Sequence, residues 1–114
     1  MDKQQSKELK AWDISADNLL VKNKNDNIDD TFCYQLFEEN YFDTDKLQFL
    51  INFVSAKKLD RNEADILQWI IEGVDNCFIY HYDENDYYLI ANHSKAIEDA
   101  WNNHWRAELM ASLS

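Results

Sequence analysis

The sequence predicts an α+β domain that is mainly helical, with about four helices and one antiparallel β-hairpin over residues 77–92. Three observations carry this expectation. The 114 residues include one Gly and no Pro, which leaves few sites for tight turns and favours long regular elements. Apolar residues make up 46%, with four Trp, six Tyr and six Phe, too many for a disordered chain. From Cys77 to Asn92, aromatic and β-branched residues flank an Asp-Glu-Asn-Asp tip, a composition that favours strands. The length suits one compact domain over residues 1–114, with residues 1–10 expected to be disordered.

Taken in order, Asn18–Val21 reads as a short strand running into a polar loop. A short helix is expected from about Asp30, with Phe32, Leu36 and Phe37 inward and Cys33 filling a gap on the same face. In the next helix Leu47, Leu50, Ile51 and Val54 follow i, i+3, i+4, i+7 spacing, and Phe49 and Phe53 widen the stripe. Thr44 suits its N-cap, Asp45 its first turn and Lys57–Lys58 its C-terminal end.

A further helix opens at Asp60, with Glu63 placed for a capping box. It turns Ala64, Leu67, Ile70 and Ile71 inward, and Gly73 stands where a left-handed C-terminal cap would end it. The two helices are expected to form an antiparallel pair. In the hairpin, pairing Tyr82 with Tyr87 places Phe78, Tyr80, Tyr82, Tyr87, Leu89 and Ala91 on one face. A last helix starts after Ser94, with Ile97, Trp101, Trp105 (or His104) and Leu109 recurring at helical spacing.

Charge is the most informative property for function. The net charge is −11, and 14 of the 22 acids lie in two blocks without Lys or Arg, residues 25–45 and 62–94. The first holds Asp26, Asp29, Asp30, Glu38, Glu39, Asp43 and Asp45; the second holds Glu63, Asp65, Glu72, Asp75, Asp83, Glu84 and Asp86. Such a chain repels nucleic acid and anionic membranes and attracts cationic surfaces. Direct nucleic-acid binding is therefore not expected, and the electrostatic complement is a basic protein. No apolar run approaches a membrane span, and no secretory signal is expected at the N-terminus. A cytoplasmic location with reduced Cys33 and Cys77 follows as the expectation.

Motif chemistry is mostly excluded. One Gly is too few for a phosphate-binding loop. Cys33, Cys77, His81, His93 and His104 lack zinc-site spacing, and in a strand Cys77 and His81 stand too far apart to share a metal. A calcium loop starting at Asp83 fails where Tyr88 replaces the required Gly and Ser94 the required Glu. Neither His93 nor His104 has an identifiable catalytic partner, so an enzyme is not expected and no cofactor is implied.

The expected function is that of a small acidic inhibitor. It blocks a basic, nucleic-acid-binding protein such as a nuclease, by carboxylates standing in for phosphates. In composition it looks like the anti-restriction and anti-CRISPR mimics of nucleic acid. The alternative is an immunity protein or antitoxin that neutralises a nuclease toxin, with almost the same physical demands. The expected contact residues are Tyr82, Asp83, Glu84, Asp86, Tyr87 and Tyr88 at the hairpin tip. The first block adds Asp26, Asp29, Asp30, Glu38, Glu39 and Asp43. Tyr suits such a surface because it combines apolar area with a hydroxyl.

Overall fold

The computed structural model describes residues 18–113, which are helical throughout with connecting turns and loops. In chain order the elements are α1 (Leu19–Lys24), α2 (Phe32–Glu39), α3 (Thr44–Ser55), α4 (Arg61–Tyr82) and α5 (Lys95–Ala100). A π-helical turn (Trp101–Trp105) then leads directly into α6 (Arg106–Ala111). The expected disorder of residues 1–10 concerns residues outside those described.

The β-hairpin is the principal correction, because no strand occurs among the described residues. Residues 77–82 are the last turns of α4, and residues 83–93 form an irregular loop with two turns. The reason lies in periodicity. Leu67, Ile70, Ile71, Val74, Cys77 and Phe78 are all buried, so the inward stripe of the helix continues unbroken past Gly73. Burial of that stripe outweighs the local preference of Phe, Ile and Tyr for strands, which is largely a preference for half-buried surface.

Gly73 therefore lies inside the helix and is not its cap. A Cβ there would come within 2.6 Å of the Phe37 ring. The glycine costs about 1 kcal/mol of helix propensity and lets α2 press its Phe37 against α4.

The Asn18–Val21 segment is also corrected, from strand to helix start. Asn18 caps α1, its side chain accepting from the Leu20 and Val21 amides. The cap of α3 is Asp43, which accepts from Lys46 N at 3.1 Å, one residue before the expected Thr44. The Asp60–Glu63 capping box forms as the sequence indicates. Phe49, expected to widen the apolar face of α3, is instead exposed.

The core is one cluster assembled around α4. Leu20 of α1, Phe32 and Leu36 of α2, Leu47, Leu50 and Val54 of α3, and Leu67, Ile70 and Val74 of α4 are fully or almost fully buried. Phe42, in the α2–α3 connection, packs edge-on to Phe32 and stacks on Trp105 at 5.8 Å. Trp101 and Leu109 close the core from the C-terminal side. The π turn has a visible purpose. Its Arg106 N to Trp101 O bond inserts an extra residue into the turn. Residues 101 and 106 then share a face: Trp101 Nε1 and Arg106 Nε both donate to Asp75, at 2.9 and 3.0–3.1 Å.

Among the described residues, no helix is long and apolar enough to cross a membrane.

Candidate functional site

α4 is 22 residues long, about 33 Å at the usual helical rise, and its two ends treat acidic residues in opposite ways. At the N-terminal end Glu63 is buried. It receives Lys57 Nζ at 2.5 Å, Asn18 Nδ2 at 2.9 Å and the Asp60 amide at 3.0 Å. Burial opposes its ionisation, but the Asp60 amide, Lys57 and Asn18 outweigh that and hold it at about 2. Further along the helix, Asp75 is engaged by Trp101 and Arg106. These two acids of the second block find partners from outside it, so a stretch without bases in sequence is not one in space.

At the C-terminal end the acids have no such partners among the described residues. Asp83, Glu84 and Asn85 are exposed and Asp86 is half-buried. Asp83 Oδ1 accepts the Asn85 amide at 2.9 Å, and Asp86 Oδ1 accepts the Tyr88 amide at 2.8 Å. These bonds shape the turn without neutralising charge. Among the described residues none of Asp83, Glu84 and Asp86 has an ion-pair partner. Asp65 and Glu72, on the solvent side of α4, are likewise without one and extend the negative stripe back along the helix.

Aromatic residues gather at the same end. Large exposed apolar side chains include Ile79, Tyr80 and Tyr82 on the last turns of α4, Tyr87 and Leu89 in the loop, and Tyr41 in the α2–α3 connection. Tyr87 is 101% exposed, so nothing among the described residues covers its ring. Tyr88 differs from its neighbour: it is half-buried and donates its hydroxyl to Leu36 O at 2.5 Å. Burial, then the nearby Cys77, raise its pKa. Tyr88 is thus an anchor of the site more than a free contact residue.

The loop is pinned on both flanks. Asn92 makes a two-way amide pair with Phe42, at 2.8 Å each way, and Ala91 N donates to Asn40 O at 2.7 Å. Asn40 holds the left-handed conformation (φ 59°) that ends α2, which Asn tolerates better than most residues. Glu38 and Glu39 are exposed on the last turn of α2, just before Asn40. Asp26, Asp29 and Asp30 lie exposed in the α1–α2 connection, where Lys46 Nζ donates to Asp30 O. No hydrogen bond joins that connection to the tip among the described residues. Asp43, placed among the contact residues by the sequence, is engaged as the cap of α3.

On its other flank the loop is held by a cluster that sequence reasoning missed. His81 Nδ1 accepts the Ile90 amide at 3.0 Å, and its ring stacks on His93 at 4.1 Å. His93 Nε2 lies 3.1 Å from Glu98 Oε1, which also accepts the Tyr82 hydroxyl at 2.8 Å. Burial and then the neighbouring His93 lower the pKa of His81, against the opposing pull of Glu98. Glu98 is itself lowered by its bonds to His93 and Tyr82. The signal in sequence was available once α4 is extended: His81 falls one turn after Cys77 on the inward stripe. That geometry also replaces the strand argument used against a Cys77–His81 metal pair. Among the described residues no three His, Cys, Asp or Glu side chains come together to hold a metal ion.

Beside the tip lies an open groove of about 280 Å³, lined by Phe37, Trp69, Gly73, Asn76, Cys77, Tyr80 and Tyr88. Cys77 is buried at its base, and burial raises its thiol to about 11, which disfavours the nucleophilic thiolate. A wider depression of about 860 Å³ between α3 and α6 has Lys57, Lys58 and Glu108 as its charged rim. Lys57 is already committed to Glu63.

Comparison with protein-family models, with curated proteins and with solved structures gives no match for this chain.

Proposed function

We propose that the protein is a small acidic binding protein that blocks a basic, nucleic-acid-binding protein through the C-terminal end of α4. The observation that supports this reading most is the pairing of free carboxylates with a free aromatic surface on a pinned loop. Asp83, Glu84 and Asp86 have no ion-pair partner among the described residues, while Tyr82 and Tyr87 beside them are exposed. Carboxylates accept guanidinium groups in the bidentate manner that phosphates do. Tyr adds apolar contact at low entropic cost, the composition of interface centres. Holding the loop in place beforehand removes part of the ordering cost of binding.

The immunity-protein reading is favoured over extended mimicry of a duplex by one feature. Three unpaired acids, Asp83, Glu84 and Asp86, stand together with exposed tyrosines at one end of α4, and Glu63, Asp75 and Asp43 are engaged within the fold. A local patch suits a protein surface better than it reproduces a long phosphate track.

Affinity capture at low and high salt, with wild type and a variant carrying Asp83→Asn, Glu84→Gln and Asp86→Asn, tests the proposal. The expected result is a basic nucleic-acid-binding protein that is lost at high salt, lost with the variant, and displaced by added nucleic acid. Capture of the same partner by both forms with a flat salt response overturns it.

A further inference from the structure

We propose that the aromatic groove beside the tip receives an arginine side chain of the cationic partner. The inference rests on the acidic-binder reading and names the feature of the partner that this site reads.

The groove is walled by rings from two helices and the loop. Phe37 of α2 and Trp69 of α4 meet edge to face, with centroids 5.6 Å apart and planes at 90°. Tyr80 and Tyr88 supply the remaining aromatic wall, and Gly73 the floor between them. The absence of a side chain at Gly73 is what admits Phe37 so close to α4. A volume of about 280 Å³ is below the range of sites for drug-sized ligands and suits a single side chain.

Charge around the groove selects what that side chain is. Residues three or four apart are neighbours on a helix surface. Asp65 and Glu72 therefore stand one turn to either side of Trp69, and Asp83 follows Tyr80 as the C-cap of the helix. Among the described residues none of these three acids has an ion-pair partner. Trp69 already shows its affinity for a cation: Lys24 Nζ sits 3.8 Å from the ring centroid, although Lys24 is not part of the groove lining. An apolar side chain would use the rings and leave the carboxylates without a partner. An anionic one would be repelled. Lysine is a compact, strongly hydrated point charge, whereas the planar guanidinium is weakly hydrated, stacks on rings and pairs with carboxylates through a two-pronged face. Arginine is the occupant that uses both the aromatic lining and the acids that flank it.

Titration of the full chain with an acetyl-Gly-Arg-Gly-amide peptide, followed by NMR at the Trp69 indole and the Tyr80 ring, tests this. Matched peptides carry Lys or neutral citrulline in place of Arg. The expected result is saturable shifts at both residues, with citrulline weaker by about tenfold and Lys intermediate. Tyr80→Ser and Glu72→Gln each weaken the Arg peptide by about two- to fivefold, as for an exposed cation–π or charge contact. Circular dichroism confirms that each variant keeps its fold. Equal binding of citrulline, or of Lys, overturns the assignment. Shifts confined to Asp83–Asp86, with Trp69 and Tyr80 unmoved, also overturn it while leaving the acidic tip standing as the contact. Failure of the acidic-binder reading shows separately, as capture indifferent to salt and to the tip charges.

Discussion

The two ends of α4 hold acids from the same base-free block, yet one end turns a carboxylate into structure and the other leaves its carboxylates to solvent. Glu63 collects Lys57, Asn18 and the Asp60 amide, and is held ionised at about 2 despite being buried. Asp83, Glu84 and Asp86 have no such partners among the described residues, and a fully exposed Tyr87 stands next to them. Acidic character alone therefore does not identify an interface. The informative acids are those that the fold could do without.

The largest expected effect that sharpens this contrast is at Glu63. Its shift from 4.5 to about 2 corresponds to roughly 3 kcal/mol of stability. Because the folded value is the lower one, this stability is present above about pH 4.5 and is lost as pH falls towards 2. Glu63→Ala should lower the urea-unfolding free energy by about 3 kcal/mol, since it also leaves the Asp60 amide and Lys57 without their acceptor. The triple tip variant should change stability by about 0.5 kcal/mol or less, as surface substitutions usually do. Asn and Gln are better replacements than Ala here, because the Asp83 and Asp86 side chains accept backbone amides in the turn. A tip variant that unfolds as readily as Glu63→Ala would break the contrast.

Next in size is Gly73→Ala. Helix propensity alone would favour Ala by about 1 kcal/mol, but the new Cβ meets Phe37, whose ring is set edge-on against Trp69. Overpacking of this kind costs about 1–3 kcal/mol, so a net loss near 1 kcal/mol is expected in thermal or urea unfolding. In a Phe37→Ala background the same change should become stabilising. Stabilisation in the wild-type background would show that the groove wall gives way freely.

A smaller effect separates the pinned loop from its free tip. His81 has a lowered pKa because burial and His93 disfavour its cation, with Glu98 opposing and Tyr82 completing the cluster. For a base with a lowered folded value, the neutral form carries the stability. It is fully present above about pH 6.5 and fades as pH falls below it. Protonation also removes the lone pair that accepts the Ile90 amide. Hydrogen exchange at Ile90, corrected for its intrinsic pH dependence, should lose protection between pH 7 and 5. His81→Asn should flatten that profile. Unchanged protection over the range would show that the loop is held by Asn92, Ala91 and Tyr88 alone.

Smallest is the Asp75–Arg106 pair, which is partly exposed. Arg106→Ala is expected to cost about 1 kcal/mol or less in urea unfolding.

Much of the helical scaffold could be read from residues. The Asp60–Glu63 capping box and the inward stripe of α3, Leu47, Leu50, Ile51 and Val54, appear as expected. The end of α4 was hidden by two conflicting local signals. Gly73 has the chemistry of a helix terminator, and Phe78, Ile79, Tyr80 and Tyr82 have that of a strand. What overrode both was non-local: Phe37 needs the space at Gly73, and Cys77 and Phe78 complete the core stripe. The tip was legible as an acidic, tyrosine-rich segment because composition needs no topology. Its anchors were not, since Leu36, Asn40 and Phe42 stand some fifty residues away in sequence from their partners in the loop. The division between structural and free acids was equally invisible, because Lys57 and Arg106 reach Glu63 and Asp75 only through the fold.

The most direct test of the account is capture by the tip variant with charge removed and hydrogen-bonding shape kept, compared with wild type across a salt series. The account predicts that Asp83→Asn, Glu84→Gln and Asp86→Asn together leave the melting curve in place and abolish salt-sensitive capture of a basic, nucleic-acid-binding protein. Undiminished capture by a folded variant would contradict it.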